Sequence, residues 1–191
     1  MSRPTGRDEV RRAVLEAALR LFVARGPAAV SLREIATEAD VNLGLLYRHF
    51  GTKVELISAA MDLLVSQNSG PFIDCLLAPD MPAEFANIVT SGHSGDAPMQ
   101  PYVRMMAWML LDGVKPEELQ SEYPVFPHLV KRLISEGRNP EEARMTAVVV
   151  FATALGWLIF EPFINQAAQL DDVPIEDVRK ALADAFGRLI E

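Results

Sequence analysis

Residues 31–53 read SLREIATEADVNLGLLYRHFGTK, and they carry three helix starts within twenty-three residues. Ser31-Leu32-Arg33-Glu34 is a capping box, in which a hydroxyl and a carboxylate satisfy the first amides of a helix. Ile35, Ala36 and Ala39 then lay down one apolar stripe at spacings of three and four. Asp40 is placed to end that helix, since Asp tolerates a left-handed backbone. Val41 points to a core at the turn, and Asn42 is a favoured N-cap for the next helix. That helix, residues 43–50, is short and offers Tyr47, Arg48 and His49 on its exposed part. Gly51 stops it, and Thr52-Lys53-Val54-Glu55 opens a longer helix with a second capping box. Two helices around a tight turn, the second rich in hydrogen-bonding side chains, describe a helix-turn-helix whose second helix enters the DNA major groove.

Charge is distributed to match. The chain of 191 residues has a net charge of −8, which alone argues against a nucleic-acid partner. Residues 1–55 carry nine Arg and Lys against seven acids, whereas the remainder carries nine against nineteen. A phosphate backbone requires a local basic surface, not a basic protein. A polar first segment with no apolar run behind it, and a single Cys, Cys75, lead us to expect a cytoplasmic protein without disulfides.

The run Gly44-Leu45-Leu46-Tyr47-Arg48-His49-Phe50-Gly51-Thr52-Lys53, preceded by Ser31-Leu32-Arg33-Glu34-Ile35-Ala36, resembles the TetR family of bacterial repressors. The resemblance covers roughly residues 7–64. It implies an all-α chain: a helix-turn-helix DNA-binding domain at 1–51, then a helical ligand-binding and dimerisation domain at 52–191. It implies a homodimeric transcriptional regulator, a repressor, whose partners are double-stranded operator DNA and a small-molecule effector. It also implies that Ser31, Tyr47, His49 and Lys53 hold the DNA backbone while Asn42, Leu43, Gly44 and Leu45 face the bases. Positions 43 and 45 often carry polar or basic residues in the family, and both are Leu here. Leucine can touch a thymine methyl but forms no bidentate hydrogen bonds. Base reading therefore falls more heavily on Asn42, Arg48 and an arginine of the N-terminal arm.

Elsewhere the pattern is helical throughout. An amphipathic helix is expected at 8–25, with Val10, Val14, Leu15, Ala18, Leu21 and Phe22 on one face and Gly26-Pro27 ending it. The helix opened by Thr52 is expected to run through Val54, Leu56, Ile57, Met61, Leu64 and Val65 and to stop near Pro71. Short helices follow at 82–89 and 125–136, with one turn at 116–119. Residues 91–96 read as a loop, and 101–111 as a buried helix with a lone charge, Arg104. Asn139-Pro140-Glu141-Glu142 starts a helix reaching about Phe163. A last helix, 174–190, aligns Ile175, Val178, Leu182, Phe186 and Leu189.

Residues 145–160 hold no charge. That run is shorter than the roughly 20 residues of a membrane span, so no membrane is expected. A helix apolar all round must be covered on every side, and Ala152 and Gly156, four apart, admit a close neighbour. This segment and the last helix are expected to form the interface with a second copy. Met105, Trp108, Phe126 and Phe151 are candidates for an apolar effector site, with Arg104 pairing either with Glu161 or with a ligand carboxylate. Catalysis finds no foothold: His49, His93 and His128 have no metal-ligand spacing, and neither a Gly-rich phosphate loop nor a Gly-x-Ser-x-Gly elbow occurs. No cofactor and no metal are expected. The contrasting class is a helical small-molecule-binding protein or enzyme that keeps the fold without sequence-specific DNA binding. Leu43 and Leu45 favour that class; Tyr47, His49 and Lys53 oppose it.

Overall fold

A computed structural model describes residues 6–91, 100–120 and 122–191, and every regular element among them is helical. Ten helices follow in order: α1 (Arg7–Arg25), α2 (Leu32–Glu38), α3 (Leu43–Phe50), α4 (Lys53–Leu77), α5 (Met81–Thr90), α6 (Gln100–Leu111), α7 (Pro116–Leu119), α8 (Val125–Ser135), α9 (Pro140–Ala168) and α10 (Ile175–Ile190). The expected loop at 91–96, with His93, lies outside the described residues except for Ser91. The chain forms two compact units: Met1–Ser66 with Arg104–Glu122, and Gln67–Val103 with Tyr123–Glu191.

The first unit is built on the stripes read from sequence. Val10, Val14, Ala18 and Phe22 of α1 are buried with Ile35 and Ala36 of α2 and Leu46 and Phe50 of α3. Leu56, Ile57, Ala60 and Met61 supply the buried stripe of early α4. Val54 departs from expectation: it is exposed, being off the line that Leu56, Ile57 and Ala60 define.

Helix α4 also runs past its expected stop. Pro71 lies within the helix on its exposed side, and the chain stays helical to Leu77. An interior proline costs about 3 kcal/mol. Phe72 and Leu76, both buried, contribute about 1.5–3 kcal/mol each. Arg132 adds to this by donating through Nη1 to the carbonyls of Leu76 and Ala78, at 2.8 and 2.6 Å. Helix α9 likewise passes Pro162 and ends at Gln169, whose left-handed backbone (φ 57°) returns its N–H to Asn165 and Gln166.

In the second unit α5 and α10 lie along each other, and both pack against α9, which α8 also contacts. Phe85 is the hub. Its ring meets Phe72, Phe151 and Phe186 edge-on, with centroids 6.1, 6.1 and 5.0 Å away. Arg179 donates to the buried Thr90 hydroxyl, and Arg138 reaches Thr146 and the Leu189 carbonyl, tying α10 to its neighbours.

One burial expectation is corrected. Helix α6 is not wholly buried: Val103, Met105 and Met109 are, whereas Leu111 is 85% exposed and Arg104 is also exposed. On α10 only Phe186 of the expected stripe is fully buried, and Ile175, Val178, Leu182 and Leu189 are half-covered. Helix α9 is longer than its uncharged core, and with a mean hydropathy of 2.0 over 18 residues it is long and apolar enough, by length and composition only, to cross a membrane. Its inner side, with Ala147, Val150, Ala154, Leu158 and Glu161, is buried, and its outer side leaves Met145, Val148, Val149, Phe160 and Phe163 exposed.

Candidate nucleic-acid interface

Each helix start of residues 31–53 is closed by its own side chains. Glu34 Oε2 accepts from the Ser31 N–H at 2.8 Å, and Ser31 Oγ accepts from the Glu34 N–H at 3.2 Å. Arg25 donates to Glu34 Oε1 at 2.8 Å. The Ser31 backbone N–H, then the Arg25 guanidinium, hold the Glu34 carboxyl down at about 2. Arg20 pairs with Glu38 at 3.2 Å, so two ion pairs join α1 to α2.

The turn between α2 and α3 is tight because Asp40 adopts φ 51°. Val41 returns its N–H to Ala36 at 2.9 Å, satisfying a carbonyl of the ending helix. Asn42 caps α3, its Oδ1 accepting from the Gly44 N–H at 2.7 Å. Leu46 and Phe50 anchor α3 inward, and the opposite face carries Tyr47, 52% exposed, with Arg48 exposed and His49 half-buried. Gly51, at φ 67°, makes the corner into α4, and a Cβ there would collide with the Glu55 carboxylate. Glu55 accepts from the Thr52 N–H at 2.6 Å, which lowers its carboxyl pKa. Lys53 is then the first residue of α4, beside amides that face outward.

The nine residues read as DNA contacts fall along one short segment: Ser31 at the cap of α2, Asn42 at the cap of α3, Leu43, Gly44, Leu45, Tyr47, Arg48 and His49 on α3, and Lys53 at the start of α4. Their chemistry divides them. Among the described residues Arg48 and Lys53 have no ion-pair partner and present free donors. Ser31 already donates its hydroxyl to Glu34, and Asn42 keeps only its amide N–H₂ free because its oxygen holds the cap. Leu43 and Leu45 are half-buried and offer apolar contact alone.

The residues expected to line an effector site fall in both units. Met105 is buried on α6 in the first, where the Arg104 guanidinium lies over the Trp108 ring, 5.3 Å from its centroid. Arg104 is exposed and has no ion-pair partner among the described residues, so it is not the buried charge its sequence context suggested. The Trp108 ring packs against Gly26, the C-cap of α1, where a Cβ would sit 3.5 Å from it. Phe126 and Phe151 are stacked in the second unit at 5.3 Å. Sequence reasoning missed Arg132, whose carbonyl partners lie more than fifty residues away, and the Trp108–Gly26 contact, where glycine had signalled only a helix end. Among the described residues no cluster of His, Cys, Asp and Glu is arranged to hold a metal.

Residues 14–60 match the family described as bacterial regulatory proteins, tetR family. An HTH-type transcriptional repressor of Mycobacterium tuberculosis is 35% identical over 188 residues, covering 98% of this chain and 93% of that protein. The HTH-type transcriptional regulator TtgR of Pseudomonas putida is 45% identical over 57 residues, covering 30% of this chain and 27% of its own. Among solved structures, the multidrug binding protein EbrR complexed with ethidium superposes with a TM-score of 0.61 at 24% identity, over 95% of this chain and 99% of that one. A putative TetR-family regulator from Mesorhizobium loti superposes with a TM-score of 0.65 at 15% identity, over 97% of both. These two structures share the fold. With a helix-turn-helix closed by its own caps and a relative matched along almost its whole length, the chain belongs to the TetR family of bacterial transcriptional regulators.

Proposed function

We propose that this regulator is a cytoplasmic, homodimeric repressor that holds operator DNA through α3 and releases it on binding a small apolar or amphipathic effector. The division of labour is 1–51 for DNA and 52–191 for effector binding and dimerisation. The observation that carries the reading is the α3–α4 corner, where Tyr47, Arg48 and His49 stand beside Lys53 at a helix N-terminus on a locally capped scaffold. Tyr47, His49 and Lys53 take phosphates, with Ser31 a weaker partner because the ionised Glu34 adjoins it. Arg48 and the free amide of Asn42 read base edges, and Leu43, Gly44 and Leu45 approach them closely enough to sense a thymine methyl.

The repressor name of the mycobacterial relative supports the sign of regulation, and the ethidium held by EbrR, an aromatic cation, supports an amphipathic effector. Exposed apolar residues on α9 and the half-covered stripe of α10 support a second copy as the cover. We assign effector contact to Phe126 and Phe151, which stack in the second unit. An effector that prefers one of two states shifts DNA affinity by its differential affinity for them. In binding measurements across a salt series, Lys53→Ala and Tyr47→Phe weaken association with any duplex. Lys53→Ala lowers the salt slope by about 0.9 for each phosphate that goes unneutralised. An unchanged slope for the Lys53 variant removes that residue from the interface.

A further inference from the structure

Phe50 closes α3 with its ring buried, and the guanidinium of Arg11 lies over that ring, 4.8 Å from the centroid. Arg11 is exposed and has no ion-pair partner among the described residues, although Asp8 stands one turn earlier on α1. Further along α1, Arg20 and Arg25 are already neutralised by Glu38 and Glu34. Attraction to a ring face positions a guanidinium without using any of its five N–H donors. Arg11 is therefore fixed in place with its donor edge unspent.

The place matters more than the fixing. Phe50 leads at once into Gly51, Thr52 and Lys53, and the His49 ring is 6.4 Å from that of Phe50. Arg11 thus brings an unpaired cation from α1 to the corner where the phosphate contacts of α3 and α4 gather. Successive phosphates on one strand advance about 3.4 Å along the duplex axis, so two cations at one corner can each take one. A planar fork suits a phosphate held by two N–H groups at once. Arg11 also lies before residues 14–60, the stretch that matches the family.

We propose that Arg11 is a further DNA-backbone contact, donating through its free edge to a phosphate next to the one that Lys53 holds. The proposal rests on operator binding by α3. Its test is the salt dependence of duplex binding for the wild type, Arg11→Gln, Arg11→Lys and the double variant Arg11→Gln/Lys53→Ala. Arg11→Gln is expected to lower the slope by about 0.9 per half-site and to weaken operator and mixed-sequence DNA by the same factor. Arg11→Lys, which keeps the charge and loses the fork, keeps the slope with weaker binding, and the double variant lowers the slope by the sum of the two single decrements. A wild-type slope for Arg11→Gln overturns the proposal, whether or not the thermal midpoint falls, because covering Phe50 would then be its whole role. A wild type that binds no duplex overturns operator binding and this contact together. Binding by the wild type with no change in Arg11→Gln overturns this contact alone.

Discussion

Glu34 accepts from the Ser31 N–H, the Ser31 hydroxyl and the Arg25 guanidinium, and it is these donors that keep it ionised. Its carboxyl sits at about 2 in the folded chain against an ordinary 4.5, so its contribution to stability is complete above about pH 4.5 and fades as pH falls towards 2. The difference in stability between wild type and Glu34→Gln should follow that window, read from helix content during acid titration. A difference that stays constant down to pH 2 would mean that the charge plays no part in the cap. Ser31→Ala removes the other half of the box and should cost about 0.5–2 kcal/mol, the ordinary range for an N-cap replaced by Ala. Cys75 titrates in the opposite direction: burial, followed by the nearby Glu84, pushes its thiol up to about 12. The folded protein should resist alkylation at pH 8, and rapid labelling would show that the second unit opens around it.

At the level of helices, what could be read from sequence was what is closed locally. The starts of α2, α3, α4 and α9 are each set by residues within three positions of one another, Ser31 with Glu34, Asn42 with Gly44, Thr52 with Glu55, Asn139 with Glu142. The exposed side of α3, with Tyr47 and Arg48, was legible for the same reason, since one short amphipathic helix buries Leu46 and Phe50. The ends of α4 and α9 were not, because Pro71 and Pro162 argue for a stop that packing and distant donors override. Arg132 is such a donor, and Arg11 is another long-range case, meeting Phe50 from a different helix. Arg132→Met should destabilise the protein by about 1.5–3 kcal/mol, the range for hydrogen bonds from a charged group, measured by denaturant unfolding. A change within the roughly 0.5 kcal/mol of ordinary surface substitutions would mean that α4 holds its last turn unaided. The split of the effector candidates between two compact units was equally invisible, since aromatic and Met residues mark apolar sites without saying which unit holds them.

For the whole molecule, the central claim is two copies on one operator. Met145, 60% exposed, and Phe163, 71% exposed, lie on an apolar side of α9 that one chain leaves open. Gly156 provides a clean probe of that side. A Cβ there meets nothing within 4 Å, and Leu favours a helix more than Gly, so Gly156→Leu has no reason to harm the isolated chain. Against a close partner helix it would overpack, at a cost of about 1–3 kcal/mol. Light scattering should find the wild type at twice 21.1 kDa and the variant shifted towards a single chain; an unshifted variant would move the interface off Gly156. Two copies place two α3 helices on one face of the duplex, with half-sites about 34 Å apart or a multiple of that. Selection of bound duplexes from a random pool by the purified wild-type protein measures this directly. The expected result is enrichment of two inverted half-sites at a fixed separation, with binding that weakens steeply as salt rises. Recovery of no preferred sequence, or of a single unpaired site, would contradict a dimeric operator-binding repressor.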